Sequence, residues 1–449
     1  MSSTGAIGLV AIFMVDLANL FYISLLGQQE LAAAIGYAAT IMFFAVSVCI
    51  GFTIAATALT ARAIGSGDER KAKAYAGASL LFMLTMSVLL SIILFAMTDF
   101  ALDILGAKGR THEIAANFMR ITIPSIPLLG LGMGAAGLLR ATGDAKRAMY
   151  VTLSSGIAAA FVDPIMIFYF DLGITGAALS TVIVRFLFVI VGFHGTVSVH
   201  NMIAMPSRDE LAEFTRPFFH IGGPAVLTQI ATPVGNAYIT STIAQFGDDA
   251  VAGWAIVGRI IPLAFAAIFS LSGAVGPILA QNYGAGKLER VNSAMRDSLI
   301  FTIVYVLIMW GLLALLKNPI ISIFGAQGDA AIMITIFCYV VAGTQIFTGF
   351  LFVANAAFNN LDHPIYSTVF NWGRATLGVV PFAYYGSQWG PQGIIIGWGF
   401  GGALFGVLAL LTVVRVLRNL PDQAKREGIQ VQVPAIANSP FSSGRNAGL

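Results

Sequence analysis

Apolar stretches long enough to cross a bilayer recur along this chain, and the first of them, GAIGLVAIFMVDLANLFYISLL over residues 5–26, carries Asp16 close to its middle. Spanning the hydrocarbon takes roughly 20 apolar residues, and an ionised side chain at mid-depth costs at least ~2.5 to 3.5 kcal/mol. A carboxylate kept at that cost points to ion or substrate handling; the alternative is a protonated acid that ties helices together. Charged residues make up 10% of the chain, against about 25% in soluble domains, so the chain reads as an all-α integral membrane protein. MSSTG offers no basic region ahead of the first run, and Asp16 interrupts it. The run is therefore expected to persist as a first helix rather than serve as a cleaved signal.

Set against turn and charge signals, the apolar runs predict twelve transmembrane helices. In the first half they lie near 5–26, 33–61, 76–97, 113–139, 149–170 and 176–199; in the second, near 217–245, 250–280, 293–316, 330–358, 366–387 and 393–416. Connections after even-numbered spans hold Arg62, Lys71, Arg140, Lys146, Arg147, Arg208, Lys287 and Arg290, whereas those after odd-numbered spans hold only Lys108, Arg110 and Lys317. Basic residues stay on the cytoplasmic side, so both termini are expected in the cytoplasm and the protein in the plasma (inner) membrane.

The polar stretch 200–216 divides residues 1–199 from 217–416, and the two halves repeat. ARAIGSGDERKAKAYAGASLLF from Ala61 aligns with AQNYGAGKLERVNSAMRDSLIF from Ala280, placing Gly65 on Gly284 at a shift of 219 (284 − 65). LGITGAA at Leu172 meets WGPQGII at Trp389, and LLGQQELAA near Leu25 meets QFGDDAVAG near Gln245. An even number of spans per repeat gives both copies one orientation. This predicts two six-helix bundles related by a pseudo-two-fold axis along the membrane normal, with a cleft between them. The polar residues 417–449 read as a disordered cytoplasmic tail.

A second membrane-depth acid, Asp163, sits in GIAAAFVDPIMIFYF at a depth close to that of Asp16. Two carboxylates in low dielectric repel each other and are poorly solvated, which favours proton uptake. Asn19, one turn from Asp16, and Thr181 are expected hydrogen-bonding neighbours. Arg185 offers an alternative role for Asp163, since an ion pair would make the acid structural. By the repeat, Asp16 falls on Asn236 and Asp163 on Val380, so the acids belong to the first half alone. Gln229, Asn236, Gln345 and Asn355 are candidates for lining the cleft. The two cysteines, Cys49 and Cys338, and the five scattered histidines give no metal-ligand spacing, and no catalytic or cofactor motif appears. Neither an enzyme nor a nucleic-acid binder is expected.

Together, VDLANLFYISLLGQQELAA, TARAIGSGD, LLRATGDAK, FVDPIMIF, LGITGAALST and GPILAQNYGAGK make the chain resemble the multidrug and toxic compound extrusion (MATE) family, in the branch related to DNA-damage-inducible protein F. That resemblance implies a monomeric antiporter that exports lipophilic organic cations against inward proton or sodium flow. It assigns Asp16 and Asp163 to the coupling site and Thr181 to its network. Relatives often carry a tyrosine and an asparagine where Ile12 and Ala159 stand, which favours protons over sodium. A lipid-linked precursor flippase, with Arg185, Arg259 and Arg374 facing phosphate, is a second expectation; a non-transporting scaffold or receptor is the third.

Overall fold

The computed structural model describes residues 29–432, and over them each predicted span from the second to the twelfth has a helical counterpart. The first predicted span, with Asp16 and Asn19, lies outside the described residues, as does the chain beyond Gln432. The first lobe holds α1 (Gln29–Gly65), α2 (Glu69–Ala96), α3 (Gly109–Ala141), α4 (Ala145–Tyr169) and α5 (Gly173–Val199). The second holds α6 (Arg208–Ile243), α7 (Asp248–Ala264), α8 (Ala266–Gly284), α9 (Leu288–Ile323), α10 (Gly328–Asn360), α11 and α12 (Pro391–Arg426). α11 runs from Pro364–Gly373 through a wide π-helical turn, Arg374–Gly378, into Val379–Gly386.

Breaks in these helices follow from proline. α7 and α8 together form one span bent by 47°. Pro262, which cannot donate a helical hydrogen bond, precedes the bend, and the Tyr305 hydroxyl donates to the Ala264 carbonyl there at 2.8 Å. In α3, Pro127 removes the regular donor to the Ile123 carbonyl, which accepts instead from the Ile126 amide and from Ser91 Oγ, the latter at 2.9 Å. Turns at one end of the molecule share a design. Gly67 and Gly143 take positive φ (79° and 88°), and the next residues, Asp68 and Asp144, cap the following helices by accepting from the amides of Lys71 and Arg147, each at 2.9 Å.

Two boundaries differ from the sequence expectation. The inter-lobe connection is not polar coil through residue 216: α6 begins at Arg208, where Ser207 and Glu210 close a reciprocal capping box. The residues from 417 are not disordered as far as Gln432. α12 continues to Arg426 with Leu420 and Ala424 buried, and the Gln432 amide donates to the Gly286 carbonyl at 3.0 Å. A polar sequence hid this because one face of that segment is apolar enough to dock.

The lobes meet at the end that carries the basic connections. Phe214 and Phe218 of α6 are fully buried among Phe52, Tyr75 and Phe82 of the first lobe. Lys71 pairs with Glu213 across the same seam at 2.7 Å. At its centre, a Cβ on Gly65 would overlap the carbonyl oxygen of Gln281, and a Cβ on Gly284 would overlap that of Arg62. Arg62 and Gln281 are themselves related by the 219-residue shift (281 − 62), as are Ala61 and Ala280, which pack together. Each half thus presents its glycine to the other half's carbonyl, which is how a pseudo-two-fold axis acts at its own centre.

Away from this seam the same helix faces continue. The face of α1 that meets Val226 at Gly51 continues through Phe44, Thr40 and Gly36, all exposed. The matching face of α6 continues through Asn236, Ala237 and Thr240, also exposed. Among the described residues, the lobes are in contact at the basic end, and the continuing faces of α1 and α6 are exposed beyond it.

Two outcomes follow from the seam and its caps. Gly65→Leu is expected to hold the basic ends of α1 and α8 apart; spin labels on either side of the seam should read a longer separation than in the parent protein, and an unchanged separation would show that the contact does not limit closure. For Asp144, burial acts to raise the carboxyl pKa, but the Arg147 amide and guanidinium and the His200 ring outweigh it and bring it to about 2. A lowered carboxyl pKa contributes stability above its unfolded value and loses it as pH falls towards the folded one. The melting-temperature difference between parent and Asp144→Asn should therefore shrink as pH falls below about 4 towards 2, and a difference that does not shrink there would show that these contacts add no stability.

Candidate functional site

Asp163 lies on α4 just before Pro164, where the regular helix ends and the wider turn Ile165–Tyr169 begins. Proline at the next position removes one helical donor, and single wide turns of this kind are frequent at functional positions. α5 approaches closely because it is built from small residues here. A Cβ on Gly176 would overlap the Met166 carbonyl, and Ala178 is fully buried. One turn beyond Gly176, the hydroxyl of Ser180 donates to Asp163 Oδ1. Both side chains are buried, Asp163 with 3% of its surface exposed and Ser180 with none.

The expected neighbours divide. Thr181 is half-buried and spends its hydroxyl on the Ala177 carbonyl of its own helix at 3.0 Å, so Ser180, one residue earlier, is the partner that sequence reading missed. Its signal was the small-residue face Gly176/Ser180, spaced by four. Arg185 does not turn to the acid. Its Nη1 donates to the Thr122 carbonyl at 2.9 Å and to Ser125 Oγ at 2.7 Å, bracing the tight turn Ile123–Ser125 inside α3. The pairing of Asp16 and Asn19 with these groups lies outside the described residues.

In the second lobe, the four candidates for lining the cleft divide by exposure. Gln345 is buried with 3% exposed, and Asn355 accepts from Asn371 Nδ2 at 3.0 Å, tying α10 to α11. Ser367 Oγ bonds Asn359 in the same layer at 3.1 Å. The Asn355–Asn371 and Ser367–Asn359 bonds tie α10 to α11, because an unmet amide in an apolar interior costs more than a satisfied one. Gln229 is half-buried and Asn236 exposed on α6. Beside them Arg374, from the wide turn of α11, donates through Nη2 to Thr232 Oγ1 at 3.0 Å. An apolar hollow of about 630 Å³, walled by Pro381, Phe382, Tyr385, Trp389, Ile396 and Phe400, belongs to α11, α12 and their connection, and does not involve the lobe interface.

A double-mutant cycle separates the roles of Arg185 and Asp163. Arg185→Leu removes one of two donors to the Thr122 carbonyl, which keeps the Ser125 hydroxyl, and the guanidinium donor to Ser125 Oγ, a loss on the order of 1 kcal/mol. That loss should be the same, within about 0.5 kcal/mol, in a background carrying Asp163→Asn. A larger coupling in thermal melts of detergent-solubilised protein would restore the ion pair.

Comparison with known proteins places these features in context. The MatE family model matches residues 6–165 and 224–385. A FAD transporter of Shewanella oneidensis is 26% identical over 423 residues, covering 93% of either chain. The multidrug export protein MepA of Staphylococcus aureus is 29% identical over 289 residues, and that alignment spans 63% of each. Among solved structures, the Vibrio cholerae MATE transporter VcmN in its bent form superposes with a TM-score of 0.88 at 22% identity, over 94% of this chain and 96% of that one. A MOP superfamily transporter from Pyrococcus furiosus gives 0.87 at 20% identity, over 94% and 95%.

Proposed function

The chain belongs to the MatE family of membrane transporters, and from that premise we propose that it exports amphiphilic organic compounds in exchange for protons by alternating access across the plasma membrane. Members of this family are transporters rather than enzymes, and MepA carries the name of a multidrug exporter. The observation that carries the reading is Asp163, a membrane-depth acid buried against Ser180 within the lobe that also holds Asp16 in sequence. An ionised carboxylate in such a setting is costly unless a positive charge or hydrogen bonds meet it, and a proton removes the cost. Proton uptake and release at Asp163 thereby change how comfortably the first lobe packs. Ala159, one turn before the acid, is buried and brings no oxygen ligand in its side chain, which favours a proton over sodium as the coupling ion.

The lobe packing supplies the second element. Contact at the basic end, with exposed faces of α1 and α6 beyond it, fits one of the two states that alternating access needs. By the distribution of Lys and Arg, the closed end faces the cytoplasm, which makes this the outward-open state and puts both termini inside. Lipophilic cations are drawn to ionised acids in the first lobe, and protonation from outside weakens that attraction and releases them. Proton and substrate then act on one equilibrium, each through its differential affinity for the two states.

Asp163→Asn is expected to reduce pH-gradient-driven ethidium efflux from proteoliposomes to the level of empty vesicles, with the protein still monodisperse. Undiminished efflux would refute the coupling role. A sodium gradient imposed at equal pH should drive none; efflux under that gradient alone would transfer the coupling to sodium.

A further inference from the structure

The two lobes differ in their membrane-depth charge: the first holds two acids and Arg185, and the second carries arginines without acids. Asp16 and Asp163 lie in the first. Between residues 217 and 416 every acid, namely Asp248, Asp249, Glu289, Asp297, Asp329 and Asp362, lies in a connection or the first turns of a helix, whereas Arg259 and Arg374 lie well inside predicted spans. Arg259 is exposed on α7. Arg374 is the more constrained of the two. Its Nη2 is held by Thr232, its Nε is buried with no hydrogen-bond partner among the described residues, and no described carboxylate lies within ion-pair distance. A guanidinium has five donors in a planar fork that matches carboxylate and phosphate.

The surroundings say which way that fork faces. Gln229, Thr232, Asn236 and Thr240 fall within about one third of the circumference of α6, at helical spacing, and all but half-buried Gln229 are exposed. An exposed polar stripe at membrane depth belongs against water rather than lipid, because hydrocarbon leaves its groups unpaired. This is the stripe that borders the face α6 turns to the opposed lobe. Arg374 reaches its edge from a π-helical turn, where local widening re-aims a side chain.

We propose that Arg374, oriented by Thr232, is a recognition site in the second lobe for an anionic group, phosphate or carboxylate, carried by the transported amphiphile. The inference deepens the transporter reading above and rests on it: the first lobe handles the proton, and the second reads the negative group of the substrate. The occupant is the phosphate or carboxylate of a soluble amphiphile, whose remaining part is left to the first lobe. A lipid phosphate shares its headgroup chemistry and is the outcome the test separates.

The probes are flavin mononucleotide and riboflavin, which differ by one phosphate and report binding through their own fluorescence. Purified protein in phosphatidylcholine nanodiscs is expected to bind the phosphorylated form about tenfold to a hundredfold more tightly, the range for charge-assisted hydrogen bonds to one group. Arg374→Gln should erase the preference and Arg374→Lys should keep part of it. Equal binding of the two flavins by the parent protein, or no binding of either, overturns the inference without recourse to any variant; so does a preference that survives Arg374→Gln. If including phosphatidylglycerol in the discs abolishes the preference, the site takes lipid headgroups and the soluble-substrate assignment falls. The ethidium assay with Asp163→Asn reads the coupling alone, so failure of one experiment is not failure of the other.

Discussion

The relative placement of the two lobes has its tightest constraint where backbone meets backbone at Gly65 and Gly284. With no side chain interposed, the distance between α1 and α8 at that point is set by van der Waals contact and has no softer setting. α1 and α6 are long, at 37 and 36 residues, so both continue well past that point. The carbonyl that receives Gly284 belongs to Arg62, whose side chain is left free to stack over Tyr283 and pair with Glu427 beyond α12. The same residue therefore contributes its backbone to the crossing and its charge to the segment that covers it.

Much of this was legible in the sequence because it comes from periodicities. Helix existence follows from length and apolarity, and the two-fold arrangement from glycines repeating at one spacing. The structure adds that the repeat-related residues are the ones in contact, which an internal alignment does not say by itself. The misplaced boundaries share a physical cause. At Arg208–Arg216 and Leu417–Arg426 the helices project past the hydrocarbon on amphipathic surfaces, so an apolar-run criterion stops early where the backbone does not.

Side-chain partners were less legible. Thr181 and Ser180 are adjacent, and only the rotation of α5, fixed by Gly176 against α4, decides which hydroxyl meets Asp163. Arg185 looked like the natural counter-ion from depth alone. The tight turn within α3 offers nearer acceptors, the Thr122 carbonyl and the Ser125 hydroxyl, and the guanidinium donates to both. Asn355 and Gln345 illustrate the same ambiguity in the second lobe, where a membrane-depth amide serves helix packing as readily as a cleft. Asn236 and Gln229 differ from them in being exposed and half-buried on α6.

On the proposed reading, separating the proton site from the anion site has a consequence for energy coupling. Groups in different lobes do not compete for one charge, so their linkage has to pass through an equilibrium that both bias. The seam provides it. On that reading, a proton acts where Ser180 of α5 meets Asp163 of α4 in the first lobe, and a bound anion acts where Arg374 of α11 meets Thr232 of α6 in the second. Both events act on rigid helices that converge on the crossing of α1 with α8, where close-packed backbone admits contact or separation and little between. Coupling of this kind needs no movement of a proton towards the substrate; it needs each ligand to prefer one of the two arrangements of the same crossing.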